Sequence, residues 1–401
     1  MSTPDRPLEG VRVLDLTRIV SGPLCTRILA DLGADVIKVE DPHGDPTRYV
    51  GPNVDGTGVY YAQMNAGKRN VSIDLKVSGA RELLRELISR CDVLVENYRP
   101  GVLDRLVDSP EELRAQFPEL IICSISGWGQ QGPWRTRPAF APYVHAEVGL
   151  IEMTSRLRGT APEAEVHQHA DVYAGVMASN AITTALFRHA RTGEGTHLDI
   201  NMAQVAAYTD EWAAVELLRY KGTRSPFDSW TFPMMELGDG TPLSLMGDPV
   251  DALPYWVQVL GGPDDAALLS DPRFATREAR AEHRDEVVKE VSSLVGRVAD
   301  ESALNVSIAD HPLLGTRVQS LADLADSPWA RAIGLVAEVR PGLPVPDAPW
   351  SADTSTIGAR PIAASRGAHN AEVLAEVVGL DENAIASLRA NRVIDADMVA
   401  P

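Results

Sequence analysis

Short apolar runs alternate with segments of helical period through the first half of this 401-residue chain. VRVLDL (Val11–Leu16) leads into a polar turn, TRIVSGP, and then Leu24, Ile28, Leu29 and Leu32 recur at helical spacing until Gly33. A second strand, DVIKVE (Asp35–Glu40), follows at once, so the pattern predicts a β–α–β unit with parallel strands and a right-handed crossover. The alternation continues with strand NVSIDL (Asn70–Leu75), a helix from Gly79 to Ser89, and strand DVLVEN (Asp92–Asn97). Short helices from Leu103 and Glu111 then lead to strand LIICSI (Leu120–Ile125). These elements predict an α/β fold, a doubly wound, Rossmann-like layer.

From Gly127 to Glu165 the pattern breaks into a stretch rich in Gly, Pro and aromatics, which predicts a long ordered loop. A long helical run begins near Asp171 and carries small residues at Ala174, Gly175, Ala178, Ser179 and Ala181 before Gly193 ends it. An acid in a first turn ordinarily caps the helix, and the small residues behind it allow another backbone or a bulky ligand to come close. A strand, HLDINM (His197–Met202), and a helix from Ala203 to about Tyr220 follow, with a linker at Lys221–Ser229. Beyond it the period changes to a strand, a Gly-Asp-Gly turn and a strand ending at Met246-Gly247, then helices around Tyr255–Leu260, Glu278–Leu294 and Glu301–Ala309. The expected organisation is a large domain over 1–220, a small α+β domain over 229–328, and a segment over 330–401 that returns to the large domain through a final helix pair from Asn370.

Composition narrows the functional classes. A formal charge of −19 argues against nucleic acid or an anionic membrane as partner, yet leaves room for a local basic pocket. Cys25, Cys91 and Cys123 lie in or beside apolar runs without metal-ligand spacing, as free thiols do in a reducing cytoplasm. The first residues show no secretory signal and no apolar run is long enough to span a bilayer, so a cytoplasmic location is expected.

The first β–α–β unit invites a dinucleotide reading, with Glu40 where a ribose-binding acid would stand. The turn Thr17–Gly22 has one glycine where a pyrophosphate cradle needs three, so hydride transfer is disfavoured. Neither a P-loop, an HExxH motif nor a GxSxG elbow occurs, and His167 and His169 lack a third ligand at convincing spacing, so no metal site is expected. What accumulates at strand ends is positive charge: Arg18, Lys38, Lys68, Arg69, Lys76, Arg99, Arg105, Arg135 and Arg137. Ligands of open α/β sheets bind there, and such a set suits a polyphosphate.

Several segments resemble the class III CoA-transferases, the CaiB/BaiF family: the opening PLEGVRVLDLTRIVSGPLCTRILADLGADVIKVEDPHGDPTR, then MNAGKRNVSIDLK, CDVLVENYRPGVLDRL, SGWGQQGP, ADVYAGVMASNAITTALFRHARTGEGTHLDINM and DPRFATREARAEHRDEV. The likeness runs in order along nearly the whole chain. It implies a Rossmann-like large domain with a small domain, two chains interlaced as a homodimer, and an active site between one subunit's large domain and its partner's small domain. It also implies an enzyme whose substrates are an acyl-CoA and a free carboxylic acid, with no permanently bound cofactor. The family's nucleophile falls on Asp171, which would pass through an acyl–aspartyl anhydride and an aspartyl–CoA thioester. CoA contacts carried over by the resemblance fall on Val20 and Ser21, Ile73 to Lys76 (Ile73, Asp74, Leu75, Lys76), Asn97, Tyr98, Arg99, Arg105 and a cation near Arg137. Donors for the intermediate's oxyanion are expected from Met246-Gly247, and small residues at Ala174, Gly175 and Ala178 would give the pantetheine thiol room.

The chain departs from the family at Asp41, where a basic residue is common, at His145, where a glutamine is common, and at Ala141, in place of an acid. Met246-Gly247-Asp248 replaces the glycine run of oxalate-using transferases, which argues against oxalate or formate. His145 is a candidate contact for substrate or intermediate. A 2-methylacyl-CoA racemase is the alternative within the family, but Ala139, Phe140 and Ala141 stand where its second base would be, and none exchanges a proton. A diverged acyl-CoA lyase or hydratase would use Asp171 as a base, and a non-catalytic acyl-CoA binder would gain nothing from a buried carboxylate beside a thioester.

Overall fold

The computed structural model describes residues 6–219 and 233–395. The linker expected at Lys221–Ser229 lies outside them. Among the described residues the chain forms two compact units: one of residues up to Ile151, Ala164–Leu218 and the tail from Pro328, the other of Glu152–Glu163 with the residues from Arg219 to Ser327. The first unit is interrupted twice, because the stretch Glu152–Glu163 clusters with the second.

The first unit is built on six strands: β1 (Arg12–Asp15), β2 (Asp35–Glu40), β3 (Arg69–Ser72), β4 (Val93–Glu96), β5 (Ile121–Ser126) and β6 (Thr196–Asn201). They lie in the order β3-β2-β1-β4-β5-β6, and every pair is parallel. Val13 sits between Val36 and Val93, all three buried, as expected of strands covered on both faces. The strand order reverses between β1 and β4, which opens a crevice at their carboxyl ends.

Helix α1 (Ser21–Asp31) follows β1 and α2 (Val59–Asn65) precedes β3. Helix α3 (Ala80–Ile88) turns Leu83, Leu84, Leu87 and Ile88 onto the core, whereas α4 (Val102–Leu106) and α5 (Pro110–Gln116) are shorter. Helix α5 opens with a capping box in which Ser109 and Glu112 satisfy each other's backbone N–H.

The expected loop at Gly127–Glu165 contains two helices, α6 (Ala141–Glu147) and α7 (Leu150–Arg158). Their few turns, and Pro142 inside the first, leave too short a period to read in sequence. Helix α8 (His169–Thr192) is closed by Gly193 in the left-handed conformation. The single helix expected after β6 is two, α9 (Met202–Thr209) and α10 (Ala213–Leu217).

The tail rejoins this unit. His369 N–H donates to the Asn70 carbonyl, the Asn370 side chain accepts from Ser72 N–H, and Ile394 bridges Ile73. Val373, Leu374, Ile385 and Val393 bury themselves beside Leu84 and Leu87. A hairpin, Val336–Arg340 with Leu343–Pro346, was not legible in the sequence.

In the second unit, strands Met234–Glu236, Pro242–Met246 and Leu314–Arg317 form an antiparallel sheet. It packs with helices Pro249–Leu260 and Arg284–Val295 around Leu243, Trp256, Phe274 and Val291. The helix expected over Glu278–Leu294 breaks at His283 into Arg277–Glu282 and Arg284–Val295.

Candidate active site

The turn between β1 and α1 is where the crevice begins. Ile19 adopts φ 71°, a conformation that costs a β-branched residue about 1–3 kcal/mol. Its N–H points at the Asp45 carboxylate 3.2 Å away, and Asp45 pairs at 3.2 Å with Lys38, whose Nζ also donates to the Thr17 carbonyl at 2.7 Å. On the other side Asn97 spans the switch point: it accepts from Arg18 N–H and donates to the Arg18 carbonyl, both at 2.9 Å, and its amide also donates to the Ser21 hydroxyl at 3.3 Å. The turn is thus fixed from both flanks.

Behind it, Glu40 is not a free ribose acceptor. Its carboxylate is taken by Arg48, Tyr61, Asn70 and the Asp45 N–H, and these partners overcome burial to hold it down at about 2. That removes the residue on which the dinucleotide reading rested.

The strand-end cations divide into two groups. Lys38 and Lys68 are fully buried, Lys68 against Asp15 at 3.0 Å, and Arg69 is bonded to Asp35, Glu372 and Glu376. These three hold the fold and do not line the crevice, contrary to the expectation for them. Arg18, Lys76, Arg99 and Arg105 instead line a crevice of about 810 Å³ together with Asp74, Leu75 and Tyr98. Among the described residues none of these four makes an ion pair. Tyr98 N–H is held at 2.8 Å by Glu96, whose carboxyl burial pushes up to about 7.

Of the remaining expected contacts, Val20 is buried as the residue that precedes α1, and the Ile73 side chain lies in the core and not in the crevice. Arg137 reaches an adjoining crevice, but its guanidinium pairs with Glu147 and lies over the rings of Trp128 and Trp134. Arg135, on the same wall, makes no ion pair among the described residues. Met246 and Gly247 end a strand of the second unit.

Asp171 lines the adjoining crevice, of about 140 Å³, with Ser21, Asn97, Arg18, Arg99 and Arg135. Burial raises its pKa, opposed by the Ser21 hydroxyl, the Ala141 backbone N–H and the Ser21 backbone N–H. Both N–H groups belong to first turns, of α6 and α1. Sequence reasoning did not find these donors at the carboxylate; the one available signal was the Ser-Gly-Pro that opens α1.

The small residues of α8 have a different use from the one expected. Ala174, Ala178 and Ile182 are fully buried in the core with Cys25 and Leu29. A Cβ at Gly175 would stand 2.6 Å from the Ser21 carbonyl oxygen. These positions admit the backbone of α1, and it is this close approach that sets Ser21 beside Asp171; they are not space for a thiol. His145 lines neither crevice: it is fully buried, and its Nε2 accepts from Ala170 N–H at 3.0 Å. His167 and His169 share ring contacts, and no His, Cys, Asp or Glu cluster among the described residues is arranged for a metal.

The parallel order, the crevice at its reversal, the free cations and one partly buried carboxylate define a doubly wound α/β protein with a positively charged crevice at the switch point. The chain belongs to CoA-transferase family III, whose model matches residues 8–370. It is an enzyme of this transferase class, and acyl-CoA is the substrate common to the class. It is 34% identical over 336 residues to the acetyl-CoA:oxalate CoA-transferase of Acetobacter aceti, covering 81% of this chain and 83% of that one. It is 30% identical over 413 residues to the succinyl-CoA:glutarate CoA-transferase of Mus musculus, covering 97% and 91%. Among solved structures, a CaiB/BaiF family protein from Brucella suis superposes with a TM-score of 0.83 at 28% identity, over 93% of this chain and all of that one. No described helix is long and apolar enough to cross a membrane.

Proposed function

We propose that this chain moves CoA from an acyl-CoA thioester to a free carboxylic acid with Asp171 as nucleophile. The observation that carries the proposal is the placement of that one carboxylate in a crevice that shares Arg18, Tyr98 and Arg99 as walls with the cation-lined crevice at the switch point. Arg18, Lys76, Arg99 and Arg105 would hold the CoA phosphates, and Ser21 and Asn97 would border the thiol end. Burial makes the Asp171 carboxylate a stronger base than a solvated one, hence a stronger nucleophile.

The carboxylate attacks the thioester carbonyl and expels CoA thiolate, giving an acyl–aspartyl anhydride. The thiolate attacks the aspartyl carbonyl, releases the donor acid and leaves an aspartyl–CoA thioester. An acceptor carboxylate attacks that carbonyl, again expelling thiolate, and the thiolate takes the acceptor acyl group to give the new acyl-CoA and free Asp171. In the second and third steps negative charge develops on the aspartyl oxygen, which the Ser21 and Ala141 N–H groups face. The relatives act, by name, on acetyl, oxalyl, succinyl and glutaryl groups, which supports small carboxylic acids as the substrate class.

A homodimer is part of this proposal, supported by the resemblance and by Tyr173, Val176 and Phe187, exposed apolar side chains on α8. The free cysteines suit a reducing cytoplasm. Incubation with an acyl-CoA followed by hydroxylamine should convert Asp171 to its hydroxamate, read as a mass shift on the peptide that contains it. Loss of that product in Asp171→Ala, with CoA affinity nearly intact, is the expected result. An unmodified peptide, with solvent deuterium entering the acyl α-carbon instead, would sink the proposal in favour of proton abstraction.

A further inference from the structure

Helix α6 meets the start of α8 at two points four residues apart. The N–H of Ala141 faces the Asp171 carboxylate, and His145 Nε2 accepts the N–H of Ala170, the residue before Asp171, at 3.0 Å. His145 has no exposed surface, and its Nδ1 has no hydrogen-bond partner among the described residues. An Nε2 that accepts places the ring proton on Nδ1, so the imidazole is neutral. An unpartnered buried N–H is destabilising, a cost that a residue serving packing alone would shed on replacement by an apolar side chain.

We infer that His145 is a positioning residue for the transfer: its Nε2 fixes the peptide between His169 and Ala170, one residue ahead of Asp171, and so the direction in which the carboxylate meets the thioester. It exchanges no proton with substrate, because it borders neither crevice. The inference rests on Asp171 being the nucleophile. The first turn of α8 has no side-chain cap of its own, so the N–H groups there depend on partners from other elements, and His145 supplies one from α6. The same short helix thereby orients both the carboxylate and a donor to it.

Two variants separate the roles. His145→Gln keeps an acceptor at nearly the same reach, and His145→Leu removes it. The readouts are the rate of hydroxylamine-trapped Asp171 with its KM for acetyl-CoA, and hydrogen exchange of the Ala170 amide without substrate. His145→Leu should slow trapping by about 10- to 100-fold with KM changed less than about threefold, and should speed Ala170 exchange. His145→Gln should stay within about threefold of the parent on every count. A folded Leu variant that traps at the parent rate overturns the inference, as does a Gln variant as slow as the Leu one, since the imidazole itself would then be reacting. Should the Leu variant fail to fold, the Gln variant alone decides by the same threshold. A parent protein that traps nothing counts against Asp171 as nucleophile, and Ala170 exchange still decides whether His145 holds that peptide.

Discussion

Asp171 is one residue with two opposed demands on it. In the proposed transfer its carboxylate must be ionised to attack, yet burial favours the protonated form, and the three donors around it offset only part of that. Because its folded-state pKa lies above the unfolded value, the native state binds the extra proton. Stability is therefore fully present below the unfolded pKa and falls as pH rises through the folded one. Asp171→Asn keeps the hydrogen-bonding shape and removes the charge. It should raise the melting temperature at neutral pH by a degree or two, with the gain vanishing below about pH 4, while the trapped adduct is lost. Thermal scans across pH check this; a variant destabilised at neutral pH would mean that the carboxylate serves as a helix cap.

At the scale of elements, the site depends on how closely α1 and α8 approach. Ala174, Gly175 and Ala178 recur at three- and four-residue spacing, so one face of α8 carries almost no side-chain bulk and the first turn of α1 comes to rest on it. A methyl group at Gly175 meets a backbone carbonyl, not a flexible side chain, so the helices themselves have to part. Gly175→Ala should cost about 1–3 kcal/mol and lower the melting temperature by several degrees. It should also slow adduct formation, since the displaced turn carries Ser21. Ser179→Ala, farther along the same face, should leave the adduct rate near that of the parent. A Gly175→Ala protein as active as the parent would show that the Ser21 donors are dispensable.

The whole molecule carries a charge of −19, so its unpaired cations stand out by position. Lys38, Lys68 and Arg69 were spent on buried or bonded carboxylates, and Arg18, Lys76, Arg99 and Arg105 were left facing one crevice. Their field is local, and salt screens it over roughly 10 Å. Arg99→Ala and Arg105→Ala should each raise KM for an acyl-CoA by about tenfold, an effect of about 1.4 kcal/mol, with kcat nearly unchanged. The penalty should shrink as ionic strength rises. Steady-state kinetics at two salt concentrations test this, and an unchanged KM would place the phosphates elsewhere.

Apolar period alone marked the strands of the parallel layer, the helices that follow β1 and β3, and the long helix that ends at Gly193, because strands buried on both faces and helices with one apolar face write their periods directly into the sequence; the sheet order and the helix α2 came only from the structure. The motifs also marked the family and singled out Asp171. They could not separate Lys38, Lys68 and Arg69 from Arg18, Lys76, Arg99 and Arg105, since every one of them lies near a strand end. Only the packing decides which cation meets a buried carboxylate and which meets solvent. Nor could they show that Gly175 serves the backbone of α1, or that His145 accepts from Ala170, because these contacts join residues far apart in the chain and leave no local period. The proposed nucleophile was legible as a residue type in a helical frame. Two of the three donors around it are backbone groups, identical in every residue but proline, and only the tertiary structure decides where they point.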